Sequence, residues 1–397
     1  KKCSAGDRKE ISMSKVRLGI IGIGNMGSGH VESILDGKVP EIELAAVADL
    51  REVRRQWARE TVPETVKIFE TAEELLDYSE MDAVLVAVPH YDHPKYVIQA
   101  LRRGLHVMCE KPAGVYTKQV REMNEEANKH DLVFGMMFNQ RTNHIYRKMH
   151  ELVTGGQYGA VKRVNWIITD RYRTQAYYNS GGWRATWEGE GGGVLLNQCP
   201  HNLDLIQWIC GMPKTVQAFC HEGKWHDIEV EDDVTAYLEY PNGATGVFVT
   251  TTGDAPGTNR FEVDLEKAKI VCENEEIKVY ELDVNEREYC YTAAEGFKKP
   301  EGRWIDVETD GDNLQHVGVL RAFAGAILRG EPLIASGEEG INGLTLSNAM
   351  HLSSWLKRPV EIPFDEELFL EELNKKRAGS RKKEKVEEVT FNTKGTY

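Results

Sequence analysis

Val16-Arg17-Leu18-Gly19-Ile20-Ile21-Gly22-Ile23-Gly24-Asn25-Met26-Gly27 is an apolar run that opens into three glycines spaced GxGxxG. The apolar residues read as a strand buried on both faces, and the stretch after Gly24 reads as the start of a helix. Only in that setting does the glycine spacing carry meaning. Gly22 permits a tight turn, Gly24 lets backbone approach a pyrophosphate, and Gly27 lets the helix pack close. Free N–H groups at the helix start, around Asn25 and Met26, then face phosphates. An ordinary glycine-rich strand-to-helix turn is the alternative. A second strand ends at Asp49, about twenty residues on, where a carboxylate accepts hydrogen bonds from ribose hydroxyls. That carboxylate repels a 2′-phosphate and so favours NAD over NADP, although Arg51 and Arg54 stand close by.

Outward from this turn the runs VRLGII, ELAAVA, DAVLVAV, HVMCE and LVFGMM alternate with amphipathic stretches. Such a rhythm predicts a doubly wound parallel sheet covered on both faces. Thr71-Ala72-Glu73-Glu74 is a capping-box pattern at one helix start. After the helix-like NQRTNHIYRKMHELV the pattern changes to strand candidates VKRVNWIITDRY, TVQAFCHE, DVTAYLEY and GVFVTTT, with a single helix near His201. Asn242-Gly243 predicts a tight primed hairpin turn with positive φ at both residues, and hence a partly antiparallel sheet. Helices over about 313–329 and 337–356 are expected to close this second domain, with Ser336 and Glu339 as another capping box. The resulting division is an N-terminal arm (1–14), a Rossmann domain (15–145), an α/β domain for substrate (146–357) and a C-terminal tail (358–397). The mixed-charge run KKRAGSRKKEKVEE reads as a solvated or disordered segment, or one held by a neighbouring subunit.

A chain of 397 residues exceeds the roughly 250 to 300 over which one core grows, which agrees with two domains. The formal charge of −14 opposes binding to nucleic acid or an anionic membrane and leaves a small molecule as the partner. The cysteines, Cys3, Cys109, Cys199, Cys210, Cys220, Cys272 and Cys290, are odd in number, with no CxxC pair and no zinc-like cluster, so no metal is expected. The charged start KKCSAGDRKE is not a secretory signal, and no run reaches the roughly 18 apolar residues of a membrane span. A cytoplasmic protein with reduced thiols is the expectation.

Two further turns fall at the carboxyl ends of strands, where open α/β sheets bind ligands. One is Val88-Pro89-His90-Tyr91-Asp92-His93; the other is Glu110-Lys111-Pro112. A lysine desolvated beside a positively charged nicotinamide has a lowered pKa and can take the proton of a hydroxyl as hydride leaves the carbon. Taken alone, Lys111 also fits an exposed surface turn. In the second half comes Gly191-Gly192-Gly193-Val194-Leu195-Leu196-Asn197-Gln198-Cys199-Pro200-His201-Asn202-Leu203-Asp204.

The V-P-H-x-x-H turn, the EKP turn and the GGG(x)₇H(x)₂D run, in that order, resemble the Gfo/Idh/MocA oxidoreductases over about residues 16–356. The resemblance implies a Rossmann domain joined to an α/β domain with an open, mostly antiparallel sheet, and homodimers or homotetramers formed through that sheet. It implies Lys111 as base and His201 as substrate-binding or acid–base partner, with Trp183 and Arg184 near the nicotinamide. Pro89, His90, His93 and Glu110 are taken as further cofactor contacts. It also implies substrates that are mostly sugars, sugar nucleotides and cyclic polyols, and a sugar, glycoside or cyclic polyol is the expectation for this chain. Many members carry aspartate where this chain has Asn197, which can hydrogen-bond a hydroxyl but cannot relay a proton. Read alone, His201 also fits a helix-start histidine bonded to backbone.

Between strand and helix lie Tyr172, Tyr177, Tyr178, Trp183 and Trp187 with Arg171, Arg173 and Arg184, suited either to a sugar or to packing against the sheet. A dehydrogenase uses every motif. A redox glycosidase with retained NAD and a non-catalytic NAD-sensing regulator are the alternatives.

Overall fold

The structure is a computed structural model that describes residues 15–381, Lys383 and Val386. The N-terminal arm, Cys3 and most of the extreme tail lie outside the described residues.

Six parallel strands form the first sheet: β1 (Val16–Ile21), β2 (Ile42–Ala48), β3 (Lys67–Phe69), β4 (Ala83–Val86), β5 (His106–Cys109) and β6 (Phe134–Met136), in the order β3-β2-β1-β4-β5-β6. The order reverses at β1, so the crevice where ligands bind in such sheets lies beyond the carboxyl ends of β1 and β4. β4 is apolar throughout, and so is β1 apart from the exposed Arg17 near its start, because helices cover both faces. The Thr71 capping box forms as expected, its hydroxyl taking the N–H of Glu74 at 3.2 Å while the Glu74 carboxylate takes that of Thr71 at 3.0 Å.

One face of this sheet is closed by an element expected elsewhere. The helix Gln315–Arg329 puts Val319, Leu320, Phe323 and Ala324 into the same core as Leu18, Ile20 and Val31. It therefore belongs to the first sheet rather than closing the second domain. Its apolar stripe matched either sheet, and only the path of the chain decided which one it covers.

The second sheet has nine strands: β7 (Val161–Ile168), β8 (Thr215–Glu222), β9 (Glu231–Glu239), β10 (Thr245–Thr251), β11 (Asn259–Leu265), β12 (Ala268–Glu273), β13 (Glu276–Leu282), β14 (Gly302–Asp306) and β15 (Val360–Glu361). The order is β14-β13-β12-β11-β7-β10-β9-β8-β15, antiparallel except where β10 runs parallel to β7. The strands β11 to β14 were not among the sequence candidates. Alternation sets the two faces. Trp166, Phe248 and Phe261 point inward, with Trp166 stacked on Phe261 at 4.0 Å, whereas Ile167, Phe219 and Tyr237 are exposed on strands of the same sheet. The helices Pro200–Cys210 and Gly340–Leu356 lie over the inner face, whose core is continuous with that beneath β4 and β5.

Two local readings need correction. At the β9–β10 hairpin only Gly243 has positive φ (+88°), because Pro241 precedes Asn242 and the loop closes one residue longer. The N–H of Gly243 donates to Tyr240 O at 3.0 Å, and that of Tyr240 to Ala244 O at 2.9 Å. Nor is residue 358 the start of a loose tail: β15 extends the sheet, and the helix Glu366–Ala378, capped by Asp365, buries Phe369 and Leu373. That helix takes in the first residues of the mixed-charge run. Among the described residues no helix is long and apolar enough to cross a membrane, and the described cysteines are unpaired.

Candidate active site

The glycine turn closes on itself by steric necessity. Gly22 has φ +87°, and a Cβ there would sit 2.5 Å from Ala87 O; a Cβ on Gly27 would collide with the carbonyl of Gly22. Gly24 precedes the helix Asn25–Leu35, and no side chain caps that helix start. The start of that helix, at Asn25, is the end whose backbone N–H groups and dipole favour an anion. Asp49 is tied to the same turn. One carboxylate oxygen accepts the N–H of Ile23 at 3.1 Å, and the other accepts the N–H and Nε of Arg51 at 2.9 and 3.2 Å. Arg54 braces the turn from the other side, donating from Nε to Ile23 O at 2.6 Å.

The next two turns converge on the adjoining edge of the sheet. His93, taken from sequence as a cofactor contact, is turned inward: it is 1% exposed, with Nδ1 2.6 Å from Pro112 O and Nε2 2.7 Å from Val88 O. It holds the two turns together. Glu110 is likewise buried, against His30 at 2.7 Å, and accepts the N–H of Lys111 at 3.1 Å. Burial alone would raise its pKa, but the hydrogen bond and charge of His30 outweigh that and hold the carboxyl below its usual range. His90 is buried too, at 8% exposed, and meets Trp183 edge-on with the ring centres 5.6 Å apart.

Lys111 points from this edge toward the second domain, where Nζ donates to Asn197 O at 3.2 Å. Burial holds its pKa below the ordinary lysine range. Glu110 opposes the shift, and the charges of Arg171, Arg173 and Arg184 add to it. The surface-turn alternative for Lys111 is therefore not what the fold builds.

The GGG run is shaped by an acid that sequence reasoning missed. Glu231, at the start of β9, accepts the N–H groups of Gly193 and Leu195 at 2.9 and 3.0 Å, and a Cβ on Gly193 would strike the Glu231 carbonyl. This fixes where the following helix begins, with Pro200 in its first turn and His201 next. His201 is 6% exposed, and among the described residues neither ring nitrogen has a hydrogen-bond partner. Burial, then the nearby charge of Lys111, push its pKa well below the usual histidine value. The backbone-bonded alternative for His201 is not realised. Asp204, which ends the motif, is structural: it forms a buried bidentate pair with Arg141 at 2.7 and 2.8 Å, and Arg141 also reaches Glu339 at 2.6 Å.

Asn197 sits at the centre of a polar network. Its amide donates to Glu190 Oε1, and its side-chain oxygen accepts from Tyr177 OH at 3.4 Å. Tyr177 OH also accepts from Arg184 at 2.6 Å and Gln198 at 3.1 Å. Glu190 is 2% exposed, and burial raises its pKa against the opposing effects of Arg184, the N–H of Ala185 and Asn197. An acid set among glycines just before GGG was the available signal for it. The aromatic segment divides as its two readings foresaw. Tyr178, bonded to Thr252 at 2.7 Å, and Trp187, packed on His351 and Trp355, are core, whereas Tyr177 and Trp183 face the cleft with the arginines.

A nucleotide-binding turn at a sheet switch point, with a lysine and a histidine brought together beside it, defines an NAD-binding oxidoreductase. Two models of one family match the chain: the oxidoreductase family's NAD-binding Rossmann fold over residues 16–138 and the GFO/IDH/MocA C-terminal domain over residues 146–271. The chain belongs to the Gfo/Idh/MocA family. It is 26% identical over 353 residues to the myo-inositol 2-dehydrogenase of Thermotoga maritima, covering 87% of this chain and 98% of that one. It is 28% identical over 251 residues to the D-glucoside 3-dehydrogenase of Escherichia coli, covering 59% and 70%. In fold it resembles the WlbA dehydrogenase of Bordetella pertussis, solved with NADH and UDP-GlcNAcA, with a TM-score of 0.74 at 22% identity over 89% of this chain and 99% of that one. The family is one of NAD-binding oxidoreductases.

Proposed function

We propose that the protein oxidises a ring hydroxyl of a sugar, glycoside or cyclic polyol, with NAD as acceptor and Lys111 as general base. The observation that carries this reading is His201: a buried imidazole with two unpartnered nitrogens, beside a lysine whose charged form is disfavoured. Gly22, Gly24, Asn25, Met26 and Gly27 hold the pyrophosphate, Asp49 the adenosine ribose, and Pro89, His90, Trp183 and Arg184 line the nicotinamide end. Both oxygens of Asp49 are already bonded, one to Arg51 and one to Ile23, so the preference for NAD over NADP rests on the carboxylate's charge and its remaining acceptor capacity. When bound, the dinucleotide supplies the hydride acceptor.

Neutral Lys111 takes the hydroxyl proton at Nζ. His201, held neutral by burial, bonds the same or a neighbouring hydroxyl. Asn197 and Tyr177 orient the sugar without moving protons. His93 and Glu110 keep the lysine in place from behind. The division near residue 145 and a homo-oligomer built on the exposed face of the nine-stranded sheet, around Ile167, Phe219 and Tyr237, form part of the same proposal.

The test is incubation with NAD and a panel of sugars, glycosides and inositols, following NADH absorbance and product mass. NADH with a product lighter by two hydrogens is the expected result. Glycoside cleavage without net NADH would replace it with a redox glycosidase, and NAD binding without chemistry across the panel with a regulator.

A further inference from the structure

Among the described residues, Arg173 and Arg184 bring the cleft more positive charge than its acids answer. Arg171 and Arg173 follow β7, and Arg184 comes from the aromatic segment. The guanidinium groups of Arg173 and Arg184 lie over the Tyr177 ring, 5.2 and 4.4 Å from its centre. Tyr177 is bonded to Arg184 and to Asn197, and Asn197 to Lys111, so a continuous set of contacts runs from both arginines to the base. The three arginine charges are felt at Lys111, and that of Arg171 also at His201.

The neighbouring acids are mostly committed. Asp170 stands 3.9 Å from Arg171. Glu190 stands 3.8 Å from Arg184 but already accepts from Asn197 and Ala185, and Glu110 is held by His30. Among the described residues no carboxylate pairs with Arg173, whose guanidinium donates to Tyr172 O at 2.9 Å, and Arg184 Nε is buried without a partner. This gathering stands out in a chain of net charge −14. The cofactor phosphates do not account for it. They belong at the glycine turn after β1, whereas Lys111 follows β5, two strands or about 10 Å across the sheet. An oxidised nicotinamide brings a further positive charge to the same place.

Resting on the dehydrogenase reading above, we propose that the substrate is an anion: a sugar or cyclic polyol bearing a carboxylate or a phosphate, bound by Arg173 and Arg184 with Arg171 behind them. A guanidinium fork fits either oxyanion.

The test is calorimetric titration of the NADH-loaded protein with D-glucuronate, D-glucose 6-phosphate and D-glucose. One of the anions should bind at least about tenfold more tightly than glucose, the scale of one charge-assisted hydrogen bond. The advantage should shrink in about 0.5 M NaCl. In Arg173→Ala it should fall to within about twofold, with NAD affinity unchanged. Arg173→Gln serves if the alanine variant does not fold. Whichever of glucuronate and glucose 6-phosphate binds identifies the oxyanion. Glucose binding as tightly as both anions, a full preference surviving loss of Arg173, or no anion binding at all would overturn the proposal. NADH formation from neutral sugars alone would overturn it while leaving the dehydrogenase standing. Anion binding with no NADH formed from any sugar would do the reverse.

Discussion

The glycine turn and the Lys111 cleft are two ends of one site built in opposite ways. At the turn, six consecutive residues and one aspartate do the work, through backbone N–H groups and the absence of side chains. At the cleft, Lys111, Arg171, Arg173, Arg184, Glu190, Asn197 and His201 arrive from separate segments, and the work is done by side-chain charges that alter one another's protonation. In the proposed function the first arrangement holds the cofactor, and only Asp49 there discriminates between dinucleotides. The second sets what is oxidised, and it exists only because the two sheets share a continuous core.

The comparison breaks first at Lys111. Lys111→Ala should leave NAD affinity intact and lower turnover by at least about two powers of ten, the usual scale for an acid–base group. Equal activity in variant and wild type, measured by NADH formation, would remove Lys111 from the chemistry.

Gly27→Ala probes the other end, because its Cβ has no room against the Gly22 carbonyl. The helix must move, at about 1–3 kcal/mol, so thermal melting should fall and NAD should bind at least about tenfold more weakly. Sugar binding at saturating NADH should be little changed. If the reverse were seen, the division of labour between the two ends would be wrong.

Asp49→Ala should raise the KM for NAD by about tenfold, the worth of a charged hydrogen bond, and narrow the gap to NADP, since Arg51 is then released from its carboxylate. An unchanged ratio of kcat/KM for the two cofactors would take Asp49 out of that choice.

The finest distinction is in pH. The active form of Lys111 is neutral, and its pKa is lowered by burial and then by the three arginines, with Glu110 opposing. The profile of kcat/KM should therefore rise with pH and level off below the pH at which an ordinary lysine titrates. Glu110→Gln removes the charge that raises the lysine pKa, so the rising limb should move to lower pH; Arg173→Ala should move it to higher pH. A flat profile between about pH 6 and pH 10 would contradict Lys111 as the titrating base.

Legibility followed the same division. The strand Val16–Ile21, the glycine turn, Asp49 and both capping boxes could be read from spacing alone, because each is set within a few residues or by one strand-to-strand step. Lys111, His201 and Asn197 could be picked out only as a pattern. Glu231 and Glu190 were not picked out: an acid in a strand has no local mark of burial, and the glycines around Glu190 were the one signal it left. The helix Gln315–Arg329 was recognised as a helix and assigned to the wrong sheet for the same reason.

By itself the sequence determined a doubly wound sheet, a dinucleotide turn at its switch point and a strand-rich second half, because periodicity and glycine sterics act over neighbouring residues. The tertiary structure decided which groups face one another. Lys111 meets Asn197 across 86 residues, and His30 meets Glu110 across 80. It thereby decided that His93 is a brace, that His201 is unpartnered and that the lysine's charged form is disfavoured. Burial and the field of neighbouring charges depend on the packing of segments far apart in the chain, and neither can be read from any one of them.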